Sequence, residues 1–197
     1  MGFQPAVAED ADQVIETITL AFLNDPVWSW AFPDSERRPE QYRVWWAMFV
    51  NRAIDLGSAL VTGPAAEAAA IWVPPGENEL REEDEPKVEP LLRELLGDEQ
   101  AERVLILNEG FEAHHPDGSF QYLSLLGTHP DHRGGGIGMK LLADRLAQLD
   151  ELGEPAILES TNPVNHERYG RVGFRQIDEW FAPEGGPPVA VMWRDPV

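Results

Sequence analysis

Four glycines fall within five positions in Arg133-Gly134-Gly135-Gly136-Ile137-Gly138, where two apolar stretches of different period meet. Residues 120–126 before them are apolar and strand-like, whereas Ile137, Leu141, Leu142, Leu146 and Leu149 after them recur at helical spacing. The glycines therefore turn a strand into a helix. Without Cβ atoms their amides can approach a ligand closely, and the unpaired N–H groups and dipole of the new helix favour an anion. Two other phosphate loops do not fit. The Walker pattern fails because Lys140 follows Met139 and precedes Leu141. The dinucleotide pattern GxGxxG ends on Met139 when started at Gly134 and on Leu141 when started at Gly136. Nucleotide hydrolysis and hydride transfer lose their main support.

The rest of the chain is arranged around that junction. Residues 3–7 suit an opening strand, and Val14, Ile18, Ala21 and Phe22 mark a helix that Asn24-Asp25-Pro26 stops. Trp28, Trp30 and Phe32 are expected in an irregular segment, followed by a helix over about 39–56. Residues 58–62 and 66–73 read as a hairpin through Gly63-Pro64, and leucines after residue 90 mark two helical pieces parted near Gly97-Asp98. A strand at 156–158, a short helix from Asn162-Pro163 to Arg171 and strands over 174–181 and 189–193 complete the chain. Hairpins on both sides of a strand-helix-strand unit predict an α/β fold with a mixed, mostly antiparallel sheet of about six or seven strands flanked by helices. With no repeat or linker, residues 1–197 are expected to form one domain with a helical insertion at about 77–115.

Charge narrows the partners. The 15 basic and 35 acidic residues give a formal charge of -20, which repels an extended phosphate backbone, so no nucleic-acid partner is expected. Residues 77–102 hold 11 carboxylates and three basic residues, a solvated surface or a field that attracts a cationic substrate. There is no cysteine, hence no disulfide, thiolate nucleophile or Cys-based zinc site, and no apolar run approaches the roughly 18 residues of a membrane span. The expectation is a cytoplasmic protein with no membrane partner and no metal; the oligomeric state, a homodimer included, stays open.

The glycine segment matches the Q/R-x-x-G-x-G/A signature and resembles the GNAT superfamily of N-acetyltransferases. A second segment carries the same resemblance: Leu158-Glu159-Ser160-Thr161-Asn162, then Asn165-His166-Glu167-Arg168-Tyr169-Gly170-Arg171-Val172-Gly173-Phe174 with its Y-x-x-x-G-F element. Through Gly127, Pro130-Asp131-His132 and Asn165 to Phe174, the wording is closest to the puromycin N-acetyltransferase-like branch. The resemblance is strong over about 120–174 and weak over 77–115. It implies acetyl-CoA as cosubstrate, with the pantetheine arm along Leu125 and Leu126. Arg133, Gly134, Gly135, Gly136, Ile137 and Gly138 then surround the pyrophosphate, Asn165 bonds the pantetheine, and Tyr169 stands at the sulfur as the acid for the leaving thiolate.

An amine must be neutral to attack a thioester, and a departing thiolate needs a proton. Glu159, closing a predicted strand, is the first candidate for the base, with His129 and His132 as alternatives; His114 and His115, next to Pro116-Asp117, are candidates for lining the substrate mouth. Trp28 and Trp30 are candidates for an acceptor pocket, since aromatic faces suit cations and apolar groups alike. The expected reaction is direct transfer of acetyl to a primary amine on a small cationic molecule. Alternatives are a protein N-terminus or lysine as acceptor, or a non-catalytic acyl-CoA sensor.

Overall fold

The structure is a computed structural model that describes residues 2–197. One seven-stranded sheet organises it: β1 Gln4–Pro5, β2 Ala59–Thr62, β3 Ala68–Val73, β4 Gln121–Thr128, β5 Ala156–Ser160, β6 Arg175–Phe181 and β7 Pro188–Arg194, in the order β1-β2-β3-β4-β5-β7-β6. The expected mixed, mostly antiparallel sheet is what forms. Among the described residues β4 and β5 are the sole parallel neighbours, and they pair only at Gln121 with Ala156 and Tyr122 with Ile157. Past Tyr122 the two strands diverge. On its other side β4 stays paired to β3, but the register shifts so that Ile71 faces Leu125 and Trp72 faces Leu123. Ser124 is therefore the extra residue of a bulge, which bends β4 where it leaves β5.

Helices α1 Ala11–Phe22, α2 Pro26–Ala31, α3 Arg38–Asp55, α4 Val88–Leu96 and α5 Asp98–Ala113 precede or follow the first hairpin, and α6 Ile137–Leu152 and α7 His166–Gly170 follow β4 and β5. The first face of the sheet buries Val14, Ile18, Trp28, Trp45, Trp46, Leu92 and Leu107. The second buries Leu141, Leu142, Leu146 and Leu149 of α6 against Trp72, Leu123 and Leu158. β3 sits between both layers, and all six of its side chains are buried. The acidic segment is no mere surface: Gly97, at φ 80°, breaks α4 from α5, and Leu92, Ala101, Val104 and Leu107 pack into the first core.

One local expectation is corrected. Residues 26–31 are helical rather than irregular, because Asn24-Asp25-Pro26 is a start as well as a stop. The Asp25 carboxylate accepts from the amides of Val27 at 3.0 Å and Trp28 at 3.1 Å, and Pro26 occupies the first helical position. Behind the sheet, Arg194 holds Asp150 through two 2.7 Å bonds and donates to the Val172 carbonyl at 2.9 Å, tying the end of α6 to β7 and to the turn before Phe174. No helix among the described residues is long and apolar enough to cross a membrane.

Candidate functional site

The divergence of β4 from β5 opens a cleft of about 770 Å³. One half is made by backbone. From Leu123 to Thr128, β4 has no partner on its β5 side, so its edge amides and carbonyls face the cleft at Leu125 and Leu126. The chain then turns through Gly134 at φ 90° and Gly136 at φ 74°, conformations that glycine adopts without strain. Gly136 caps α6 with no side-chain acceptor, so the first amides of the helix, at Ile137, Gly138 and Met139, are left for a ligand. No atom stands within 4 Å of a Cβ built on Gly134, Gly135 or Gly136. Gly138 differs, since a Cβ there would collide with the Thr128 hydroxyl. Its missing side chain lets α6 close against β4.

Side chains around this half divide their work. Arg133 lines the cleft, yet its guanidinium donates to the carbonyls of Thr128 and Ala21 at 3.3 Å and Leu20 at 3.5 Å, clasping the end of α1 to the glycine turn. Lys140 points along α6 to Asp144, at 2.6 Å, and is not part of the lining. Asn165 and Tyr169 both line the cleft from the segment after β5. Burial, reinforced by the charge of Asp25, pushes the Tyr169 phenol up to about 12, so it stays a proton donor across the physiological range.

The other half is made by side chains from distant segments. Trp28 meets Trp46 edge-on at 4.7 Å and stacks on Phe111 at 6.0 Å; these three and Phe49 form an aromatic wall. Trp30 lies outside the lining, under the Arg103 guanidinium. The helical turn of α2 accounts for the split between Trp28 and Trp30, because residues two apart face different ways. Two glutamates enter here. The Glu159 side chain is 3 % exposed and accepts from or shares a proton with His115 Nε2 at 2.5 Å. Glu79, from the segment after β3, lines the same cleft beside the bulge residue Ser124. Burial and the negative charge of Glu159 push the Glu79 carboxyl up to about 7, against the opposing influence of the Ser124 hydroxyl and His115. Tyr122, buried between both glutamates, is held protonated.

The remaining histidines separate by place. His114 stacks on Trp180 at 5.0 Å and bonds the Gly110 carbonyl, His129 caps the turn at Asp131, and His132 lies on the glycine-turn rim of the cleft. His115 stands behind Glu159 without itself lining the cleft.

Sequence reasoning missed Glu79, Asp25 and Ser124. Nothing in the spacing of 11 acids distinguishes the one that turns inward, and a bulge has no signature in Leu123-Ser124-Leu125. Asp25 carried a usable signal, its place before proline at a helix start. Its second oxygen accepts from Thr161 at 2.7 Å, linking α2 across the cleft to the end of β5.

No family profile matches the chain. Solved structures do. An acetyltransferase from Corynebacterium glutamicum, described as histone acetyltransferase HPA2 and related, superposes with a TM-score of 0.73 at 21 % identity, over 100 % of this chain and 96 % of its own. Arylalkylamine N-acetyltransferase 2 from Aedes aegypti gives 0.65 at 13 %, over 99 % and 98 %. A Drosophila melanogaster polyamine N-acetyltransferase gives 0.63 at 16 %, over 98 % of each. At such identities the likeness speaks for architecture, and the chain has the mixed seven-stranded α/β fold of the GNAT N-acetyltransferases along its whole length.

Proposed function

We propose that this chain is an acetyl-CoA-dependent N-acetyltransferase acting on a primary amine of a small molecule, by direct attack within a ternary complex. The observation that carries this reading is the junction of two unlike half-sites in one cleft. A neutral backbone cradle at a helix start suits a pyrophosphate, and an aromatic chamber with two carboxylates suits an amine. Neighbours of the same fold named for arylalkylamines, agmatine and polyamines support an amine acceptor. Residues 1–197 then form one catalytic domain in which 77–115 is an insertion walling the acceptor side. The wording shared with the puromycin N-acetyltransferase-like branch bears on subfamily, and a cytoplasmic place fits a donor kept inside the cell.

Acetyl-CoA supplies the activated acyl group. The open space over Gly134, Gly135 and Gly136 receives its pyrophosphate, the β4 edge at Leu125 and Leu126 pairs with the pantetheine amides, and Asn165 adds a side-chain bond. A carboxylate of the chamber takes the proton of the amine as the N–C bond forms. Tyr169 gives its proton to the sulfur as the C–S bond breaks, and regains one from water. Free N–H groups on the β4 edge offset the charge that gathers on the carbonyl oxygen. The amine gains acetyl and loses a proton, and CoA leaves as the thiol.

The test is calorimetric titration with acetyl-CoA, followed by a panel of primary amines with free CoA thiol as readout. Saturable binding and thiol release with a small amine are expected. Binding without release for any acceptor, peptides included, would make the chain an acyl-CoA sensor; release only with peptides would move the acceptor to a protein.

A further inference from the structure

We propose that Glu79, from the acidic segment after β3, takes the proton from the attacking amine, and that Glu159, held by His115, is a positioning neighbour. The inference rests on the acetyl-transfer reading above. Of the 11 carboxylates in residues 77–102, Glu79 is the one that lines the cleft, where it faces the β4 bulge at Ser124. That bulge is where β4 turns away from β5 and its unpaired edge begins, so a thioester laid along the edge ends beside it.

The two glutamates are not equivalent. Glu159 shares its Oε1 with His115 Nε2 at 2.5 Å, and the carboxylates around His115 raise the imidazole's pKa against the cost of burial. With Oε1 taken up by His115, Glu159 is held in place and is less free to turn toward an amine. Glu79 has no Lys, Arg or His ion pair among the described residues. Its facing groups are all accounted for. β4 presents Ser124 and Tyr122, β5 presents Glu159, and α5 with the turn after it presents Glu112 and His115. On α3, Arg52 is engaged by Glu77 and the Asn78 carbonyl, and Asp55 by Arg81.

Burial, reinforced by the negative charge of Glu159, leaves Glu79 titrating near the pH at which it must work. A base of that kind is a good acceptor from an amine that is losing its proton to bond formation. The chemistry balances within the site: the N–H bond of the amine breaks toward Glu79 while its nitrogen bonds the acetyl carbon, and the carboxylic acid so formed returns its proton to solvent.

The experiment is kcat against pH, at saturating acetyl-CoA and with the best amine of the panel, for the wild type, Glu79→Gln and Glu159→Gln. The wild-type rate is expected to rise through an apparent pKa near 7 as Glu79 ionises. Glu79→Gln should lose that limb and about 100-fold in kcat at pH 7.5, with acetyl-CoA affinity held within about twofold. Glu159→Gln should keep the limb with a smaller, roughly tenfold loss, since it disturbs position and not the acceptor itself. A Glu79→Gln enzyme that keeps both limb and rate, while Glu159→Gln loses them, overturns the assignment and leaves acetyl transfer standing. A wild type that releases no CoA with any amine overturns both. Should Glu79→Gln fail to fold, Glu79→Asp decides. Retracting the carboxyl by one methylene lowers kcat roughly tenfold with the limb intact if Glu79 takes the proton, and leaves kcat unchanged if it does not.

Discussion

The two halves of the cleft are built by different means. The half proposed for the cofactor comes from one stretch, residues 123–138, joined by Asn165 and Tyr169, and its contacts are backbone amides whose directions follow from strand, turn and helix. The other half gathers Trp28 from α2, Trp46 and Phe49 from α3, Glu79 from a loop, Phe111 from α5 and Glu159 from β5. A diphosphate needs only the common geometry of a helix start, so its site can be local in sequence and recur between proteins. An acceptor must be told from other amines by shape and charge, which takes side chains that only tertiary packing brings together.

The largest effect is expected from a side chain placed in the cradle. Gly136→Val is expected to weaken acetyl-CoA binding by about 100-fold or more, because a branched side chain occupies the open space over the turn and resists φ 74°. Gly138→Val should act on the fold instead, since its side chain is driven into Thr128 between α6 and β4. Acetyl-CoA titrations beside thermal melts separate the two. Equal behaviour of both variants would erase the distinction between the ligand-facing glycine and the packing glycine.

Tyr169 stands where the halves meet, and its replacement should cost less. Tyr169→Phe keeps the ring, which packs 6.2 Å from Phe174, and removes the hydroxyl. A loss of roughly 10- to 100-fold in kcat is expected with little change in acetyl-CoA affinity. Single-turnover rates are the measurement of choice, because slow product release would hide a damaged chemical step. A full single-turnover rate in the folded variant would pass the thiolate's proton to water.

Legibility in the sequence follows the same division. The glycine turn, the Asn165 to Phe174 segment and the sheet's mixed character could be read because each depends on local pattern: missing Cβ atoms, helical spacing, strand-sized apolar runs. The helix at 26–31 was missed because Asn24-Asp25-Pro26 fits the end of one helix as well as the start of another, and only the Asp25 carboxylate on two following amides decides it. Glu79 was hidden among solvated acids. Its inward turn depends on α3 holding Glu77 and Asn78 through Arg52, and on the chamber behind Ser124, neither of which leaves a trace in spacing.

Trp28 and Trp30 sharpen the acceptor half with a smaller effect. Trp28→Phe thins the aromatic wall against Trp46 and Phe111 and should raise the KM of the amine by roughly three- to tenfold, with acetyl-CoA affinity unchanged. Trp30→Phe, on the far side of α2 beneath Arg103, should leave both alone. A larger shift in amine KM from Trp30 than from Trp28 would place the acceptor elsewhere.

Salt should produce the smallest effect and the one that tests both halves together. The formal charge of -20 sets up a field that attracts a cationic amine and repels an anionic nucleotide, whatever their local contacts. Screening that field therefore moves the two association steps in opposite directions. From about 0.05 to 0.5 M salt, where the screening length shortens severalfold, kcat/KM for a cationic amine should fall by roughly two- to fivefold. The association rate of acetyl-CoA should rise over the same range, since its approach is relieved of repulsion and its cradle is made of neutral amides and not of fixed cations. A neutral amine of similar shape should respond less than the cationic one. If acetyl-CoA association slowed with salt instead, cations such as Arg133 would be contacting its phosphates directly, and the clasp of Arg133 on the end of α1 would have to open on binding.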